Sequence, residues 1–187
     1  MKHLKNIFFG ISLIIFQFNS NGQDFHKKNG FSLNGIWEII FDDNNQGIEN
    51  DWYLDENFGK QNFQTIAVPS CWEETKKNYE GVGIYRTKFT IPKGWSDKII
   101  QLNFEASNYK TEIWINDQVV GFHEGGYTPF SFRIDKLIKA GEQNTLVVRV
   151  VSPIILTDKY IDGLGRQEVP MWRGAITGGI WQSVSIE

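Results

Sequence analysis

Apolar residues recur at every second position along most of this chain, and almost nowhere at the 3.6-residue spacing of a helix. Tyr85, Thr87, Phe89 and Ile91 alternate with Arg86, Lys88 and Thr90. Ile100, Leu102 and Phe104 alternate with Gln101, Asn103 and Glu105, and Thr111, Ile113 and Ile115 with Glu112, Trp114 and Asn116. Successive side chains of a strand point to opposite faces, so each run has one face to bury. Residues 35–41, 130–134, 145–151 and 180–186 read as further strands. Asn116-Asp117, ahead of Val119-Val120, predicts a tight hairpin because both residues tolerate left-handed backbone. The best helix signal, residues 135–139 before Gly141, supports one turn at most. Eight or more short strands joined by turn-rich loops predict an all-β fold, a jelly-roll β-sandwich.

The 187 residues are too few for a complete (β/α)₈ barrel, which takes about 250. An aromatic content of 14% supplies enough surface for one good core and argues against disorder. Residues 1–22 are set apart: Lys2, His3 and Lys5 precede an apolar run over 7–18, and Ser20 and Gly22 supply small side chains for a cleavage site. That layout predicts a secretory signal peptide and an exported protein, periplasmic or extracellular. The run is shorter than the ~20 residues that span a bilayer. Loss of Lys2 and Lys5 takes the 19 basic residues to 17 against 22 acidic, a net charge of −5. Nucleic acid and anionic membrane both call for a basic face and are not expected partners. Cys71 is the single cysteine, so no internal disulfide is expected, and a cysteine beside Trp72 reads as a small buried hydrophobe.

Familiar metal and nucleotide motifs are missing. His123-Glu124 has no second histidine four residues on, and His3, His26 and His123 are scattered. The stretch over 42–47 suggests a calcium loop until its twelfth position, which is Tyr53 rather than Glu; a polar turn is expected instead. No cofactor and no metal are expected. Residues 158–179 form the unusual stretch, with five glycines among Arg166, Pro170, Trp172 and Arg173. Long loops of this kind often carry function, and equally serve as plain connections.

Seven punctuated segments then follow in order: Leu33-Asn34-Gly35-Ile36-Trp37, Val68-Pro69-Ser70-Cys71-Trp72, and Gly81-Val82-Gly83-Ile84-Tyr85-Arg86 leading to Phe89. Next come Trp114-Ile115-Asn116-Asp117-Gln118-Val119-Val120-Gly121, Gly125-Gly126-Tyr127-Thr128-Pro129-Phe130, Gly141-Glu142-Gln143-Asn144, and Gly178-Gly179-Ile180-Trp181-Gln182-Ser183-Val184. This order resembles the N-terminal sugar-binding domain of glycoside hydrolase family 2, the family of β-galactosidases, β-glucuronidases and β-mannosidases, over about residues 31–187. The resemblance implies a galactose-binding-domain-like sandwich over 23–187. Gly35 is expected to make room for the Trp37 ring, and Pro69 to end a strand.

The family's chemistry is a retaining hydrolysis by two carboxylates about 5–5.5 Å apart. The resemblance places both on a later barrel, beyond an immunoglobulin-like domain, so no catalytic residue is assigned here and the chain alone is expected to be inactive. It implies instead a contribution to the pocket for a β-glycoside. Asn108, in Phe104-Glu105-Ala106-Ser107-Asn108, matches the place of a sugar-contacting Asn, and an amide both donates to and accepts from hydroxyls. Termination of a turn is its other reading. An acid expected before the last Gly-Ile strand is replaced, counting back from Gly179, by Arg173; Glu168 and Asp162 are the nearest substitutes. Trp172 fits either a sugar-stacking ring or a plug against a neighbouring domain. The competing reading is a free-standing carbohydrate-binding module using Trp52, Trp72, Trp95 or Trp172 as platform, with Trp37, Trp114 and Trp181 serving the core. A structural sandwich that binds protein is the third.

Overall fold

A computed structural model of the chain describes residues 30–166 and 178–187. The segment read as a signal peptide, Glu168, Trp172 and Arg173 lie outside them. Among the described residues ten strands form two antiparallel sheets: β1 (Phe31–Ser32), β2 (Gly35–Asp42), β3 (Gln64–Val68), β4 (Val82–Thr90), β5 (Gln101–Phe104), β6 (Lys110–Ile115), β7 (Gln118–Glu124), β8 (Phe130–Arg133), β9 (Gln143–Val151) and β10 (Val184–Ile186). The larger sheet runs β3-β2-β4-β9-β6-β7 and the smaller β1-β10-β5-β8. The expected β-sandwich is what the chain adopts.

Alternation fills the space between the sheets. Trp37 and Ile39 of β2, Tyr85 and Phe89 of β4, Leu146, Val148 and Val150 of β9 and Ile113 of β6 point inward from the large sheet. Leu102, Phe104, Val184 and Ile186 meet them from the small one. The Trp37 indole N–H donates to the Leu33 carbonyl at 2.8 Å, so the ring buries no orphan donor. Gly35 answers a different need from the expected one. A Cβ there would meet nothing within 4 Å, but its φ of +149° is one that side chains avoid.

The large sheet is buried on its outer side as well. Ile40, Val82, Ile84, Trp114, Val147 and Val151 form a second apolar cluster with Phe58, Ile154 and Ile161. Residues 43–63 and 153–166 supply this cover. The first carries a short helix, α1 (Asp55–Phe58), and Tyr53, whose ring stacks on Trp114 at 5.0 Å. Two buried arginines fasten the cover. Arg86 reaches Glu38 and Asp55 at 2.7 Å each, and Arg149 reaches Asp162 at 2.6 Å and Glu112 at 2.5 Å. Glu80 accepts the backbone N–H groups of Ile155, Leu156 and Thr157 and so folds the second excursion back.

Asn116 and Asp117 have φ of +50° and +66°, the two left-handed residues of a tight hairpin between β6 and β7. The Asn116 amide ties this hairpin to the Leu137 carbonyl and Asn144, and Asp117 accepts the Asp55 N–H at 2.9 Å. Residues 135–139 are a turn rather than a helix. The strand expected over 180–186 is reduced to its last three residues, because 178–183 bond to loops on either side.

Candidate functional site

Those loops meet around Asn108. The Asn108 and Gly179 backbones exchange two hydrogen bonds, at 2.9 and 3.1 Å. Flanking bonds run from Gln182 N–H to Ala106 O and from Glu105 N–H to Ser183 O. On the opposite side the Ser70 N–H donates to Ile180 O at 3.1 Å and the Trp72 N–H to Gly178 O at 3.2 Å. Residues 178–182 are thus held from both sides, as a strand would be, by 70–73 and 105–108.

The floor beneath is aromatic and closely fitted. A Cβ on Gly178 would fall 2.2 Å from the Trp72 indole, and one on Gly179 would fall 2.3 Å from the Tyr85 hydroxyl. Gly179 also has a φ of +94°. Glycine is therefore required twice in succession. Both rings are fully buried, and burial pushes the Tyr85 phenol far above its ordinary value. Glu73 accepts the Gly178 N–H at 2.9 Å; burial nevertheless raises its carboxyl above the usual range, outweighing that bond.

Asn108 lies at the bottom of this arrangement, only 4% exposed. Gly126 rests directly on it, since a Cβ there would come within 2.3 Å of the Asn108 Oδ1. Ser107, next to it, bonds to the hydroxyl of Thr111 in the interior. The Gly125 N–H donates to Tyr109 O at 3.1 Å, which fixes the Gly125-Gly126 bend over the amide. Beyond the bend Tyr127 is 58% exposed and meets Trp181 edge-on at 5.5 Å. The Trp181 indole N–H donates to Gly126 O at 2.8 Å.

The other sequence candidates separate. Asp162 is engaged on the outer side of the large sheet by Arg149, Lys110 and the Asn45 amide. Burial pushes its carboxyl up, but the Arg149 charge and hydrogen bond, helped by Asn45 and Lys110, hold it below the usual range. Trp72, offered as an exposed platform, is wholly buried, whereas Trp181, expected in the core, stands at the rim. The polar turn expected at 42–47 is present: the Asp42 carboxylate accepts the N–H groups of Gln46 and Gly47 at 2.9 and 2.7 Å. The His123 ring stacks on Phe130 at 4.1 Å, and burial holds its pKa below the ordinary histidine value. Among the described residues no group of three or more His, Cys, Asp or Glu is placed to hold a metal.

Residues 74–187 match the family model described as glycosyl hydrolases family 2, sugar binding domain. The chain belongs to this family. It is 27% identical over 178 residues to a β-galactosidase of Priestia megaterium, covering 82% of this chain and 16% of that protein. It is 29% identical over 136 residues to a β-glucuronidase of Rattus norvegicus, covering 67% and 21% respectively. The fold superposes on the structure of a Lactobacillus rhamnosus β-glucuronidase with a TM-score of 0.67 at 22% identity, over 84% of this chain and 28% of that one. The chain thus spans about a sixth to a fifth of the length of these two curated relatives. The matched stretch contains Asn108, the Gly125-Gly126 bend and the Gly178-Gly179 pair, so the frame around Asn108 falls within it except for residues 70–73, which precede it.

Proposed function

We propose that this domain is the non-catalytic first domain of an exported family 2 glycoside hydrolase, and that it completes the pocket in which a β-linked glycoside is hydrolysed. The observation that carries the reading is the match of residues 74–187 to the family's sugar-binding domain. Asn108 contributes its amide to a sugar hydroxyl at the floor of the rim. The frame of 70–73, 105–108 and 178–182 supports that role by fixing the backbone on either side of the amide. Ordering is in place before the sugar arrives, so little binding energy is spent on it. Trp172 and Glu168 remain further candidates for the same pocket. The two carboxylates that cleave the bond would come from a barrel domain beyond an immunoglobulin-like one in the full-length enzyme.

Two measurements test this. The purified 187-residue chain should show no turnover of nitrophenyl β-galactoside, β-glucuronide or β-mannoside; turnover would overturn its non-catalytic role. An immunoblot of exported protein, with antibody raised to residues 24–187, should give a band several-fold heavier than 21.6 kDa. A single band near that mass would point instead to a free-standing carbohydrate-binding module.

A further inference from the structure

Tyr127 stands at the rim. Tyr79 and Tyr85 bury their rings, whereas Tyr127, like Tyr160, is exposed, at 58%. Its position is nonetheless closely determined. Gly126, one residue back, is pressed on the Asn108 amide with no room for a Cβ. The Gly125 N–H is fixed on Tyr109 O, and Trp181 locks the bend from the far side through its bond to Gly126 O. Trp181 also meets the Tyr127 ring edge-on at 5.5 Å, a favoured arrangement for two aromatic rings. Its N–H is committed to the backbone, so the indole can serve only as an apolar backing.

The buried Asn108 amide therefore lies under Gly126, and an exposed, backed aromatic ring follows at the next residue of the bend. Ligand sites combine the same two elements, an apolar wall and a few placed polar groups. Tyrosine suits such a wall because it offers a large rigid surface at small entropic cost. The ligand chemistry matching an amide donor-acceptor beside an aromatic face is a pyranose, whose hydroxyls lie round its edge and whose C–H groups form an apolar face.

We infer that Tyr127, backed by Trp181, is the stacking lip of the Asn108 site and takes the apolar face of a β-glycoside sugar ring. This rests on the reading of Asn108 as a sugar contact. Charge selection is not its role, since an aromatic face meets C–H groups; it adds affinity for pyranosides in general.

The test is a titration of the 15N-labelled 187-residue chain with methyl β-D-galactopyranoside and, separately, methyl β-D-glucuronide, following the Asn108 side-chain amide and the Trp181 indole N–H. Both signals should move together with one or both sugars. Tyr127→Ala should raise Kd roughly three- to tenfold, the loss expected for one aromatic contact, while Tyr127→Phe keeps it. Should the Asn108 amide respond while Trp181 stays still and Tyr127→Ala titrates like the wild type, the lip is refuted and the Asn108 contact stands. A Trp181 response without Asn108, abolished by Tyr127→Ala, keeps the stacking and refutes the shared site. If neither signal moves up to molar sugar, both readings fail. An unchanged spectrum of Tyr127→Ala away from the bend guards against misfolding.

Discussion

The two sides of the six-stranded sheet are both buried, but by different means. Its inner side is closed by the small sheet with side chains that strand alternation supplies, from Trp37 and Ile39 to Leu146, Val148 and Val150. The outer side is closed by two excursions of the chain, and there apolar contact is joined by the buried guanidinium groups of Arg86 and Arg149. An excursion lacks a ladder to set its register, and ion pairs with fixed geometry can supply that register instead. Inner packing should therefore respond to lost volume, and outer packing to lost charge.

The largest effect should come from the inner side. Trp37→Ala removes a ring that is 2% exposed and should cost about 3–5 kcal/mol, read from urea unfolding. On the outer side Arg149→Ala leaves Glu112 and Asp162 sharing only the more distant Lys110, at 3.7 and 3.9 Å, a loss of about 3 kcal/mol. Its signature is faster amide exchange over 154–164 with the inner strands unchanged; uniform acceleration across both sides would erase the distinction drawn here. Acid should separate the two sides without mutation. For Asp162 and Asp55, burial works against ionisation but the arginine and lysine partners prevail, leaving both carboxyls below their ordinary values. Stability from such groups is present above the unfolded carboxylate pKa and is lost as pH falls through the lower folded one. Amide exchange compared at neutral pH and near pH 3 should thus show the outer cover loosening first. The smallest effect is expected from Lys60→Ala, which removes an exposed pair with Glu56 and should leave the unfolding midpoint unchanged within error.

This contrast also explains what could be read from the sequence. β4, β5, β6, β8 and β9 announce themselves by alternation, and the Asn116-Asp117 hairpin by its turn chemistry. β3 was not legible because Gln64–Val68 is a short edge strand, although Pro69 ends it as its missing N–H requires. Residues 135–139 carry a helical composition, but the Leu137 carbonyl is used by Asn116 and the Lys139 backbone by Asn144, which fixes a turn. The outer cover was invisible because nothing local distinguishes Arg149 from a solvated arginine on an alternating strand. At the site, Asn108 and the paired glycines stood out as motif residues. Their mutual pairing joins segments some 70 residues apart, and sequence spacing carries no sign of that. Trp181 departs from its expected core position for a related reason: it precedes β10 closely in sequence, yet its backbone belongs to the rim.

One feature of the small sheet bears on how the molecule is made. Among the described residues β10 lies between β1 and β5, and β1 has no other neighbour in its sheet. A chain emerging from the ribosome can pair β2, β4, β6 and β9 as they appear, but β1 must wait for residues 184–186. Until then Leu102 and Phe104 lack their neighbours Ile186 and Val184, and the underside of the large sheet is only partly roofed. Closure of the sandwich is thus the last step in the folding of this domain, and its two sheets cannot seal against each other until residues 184–186 have emerged.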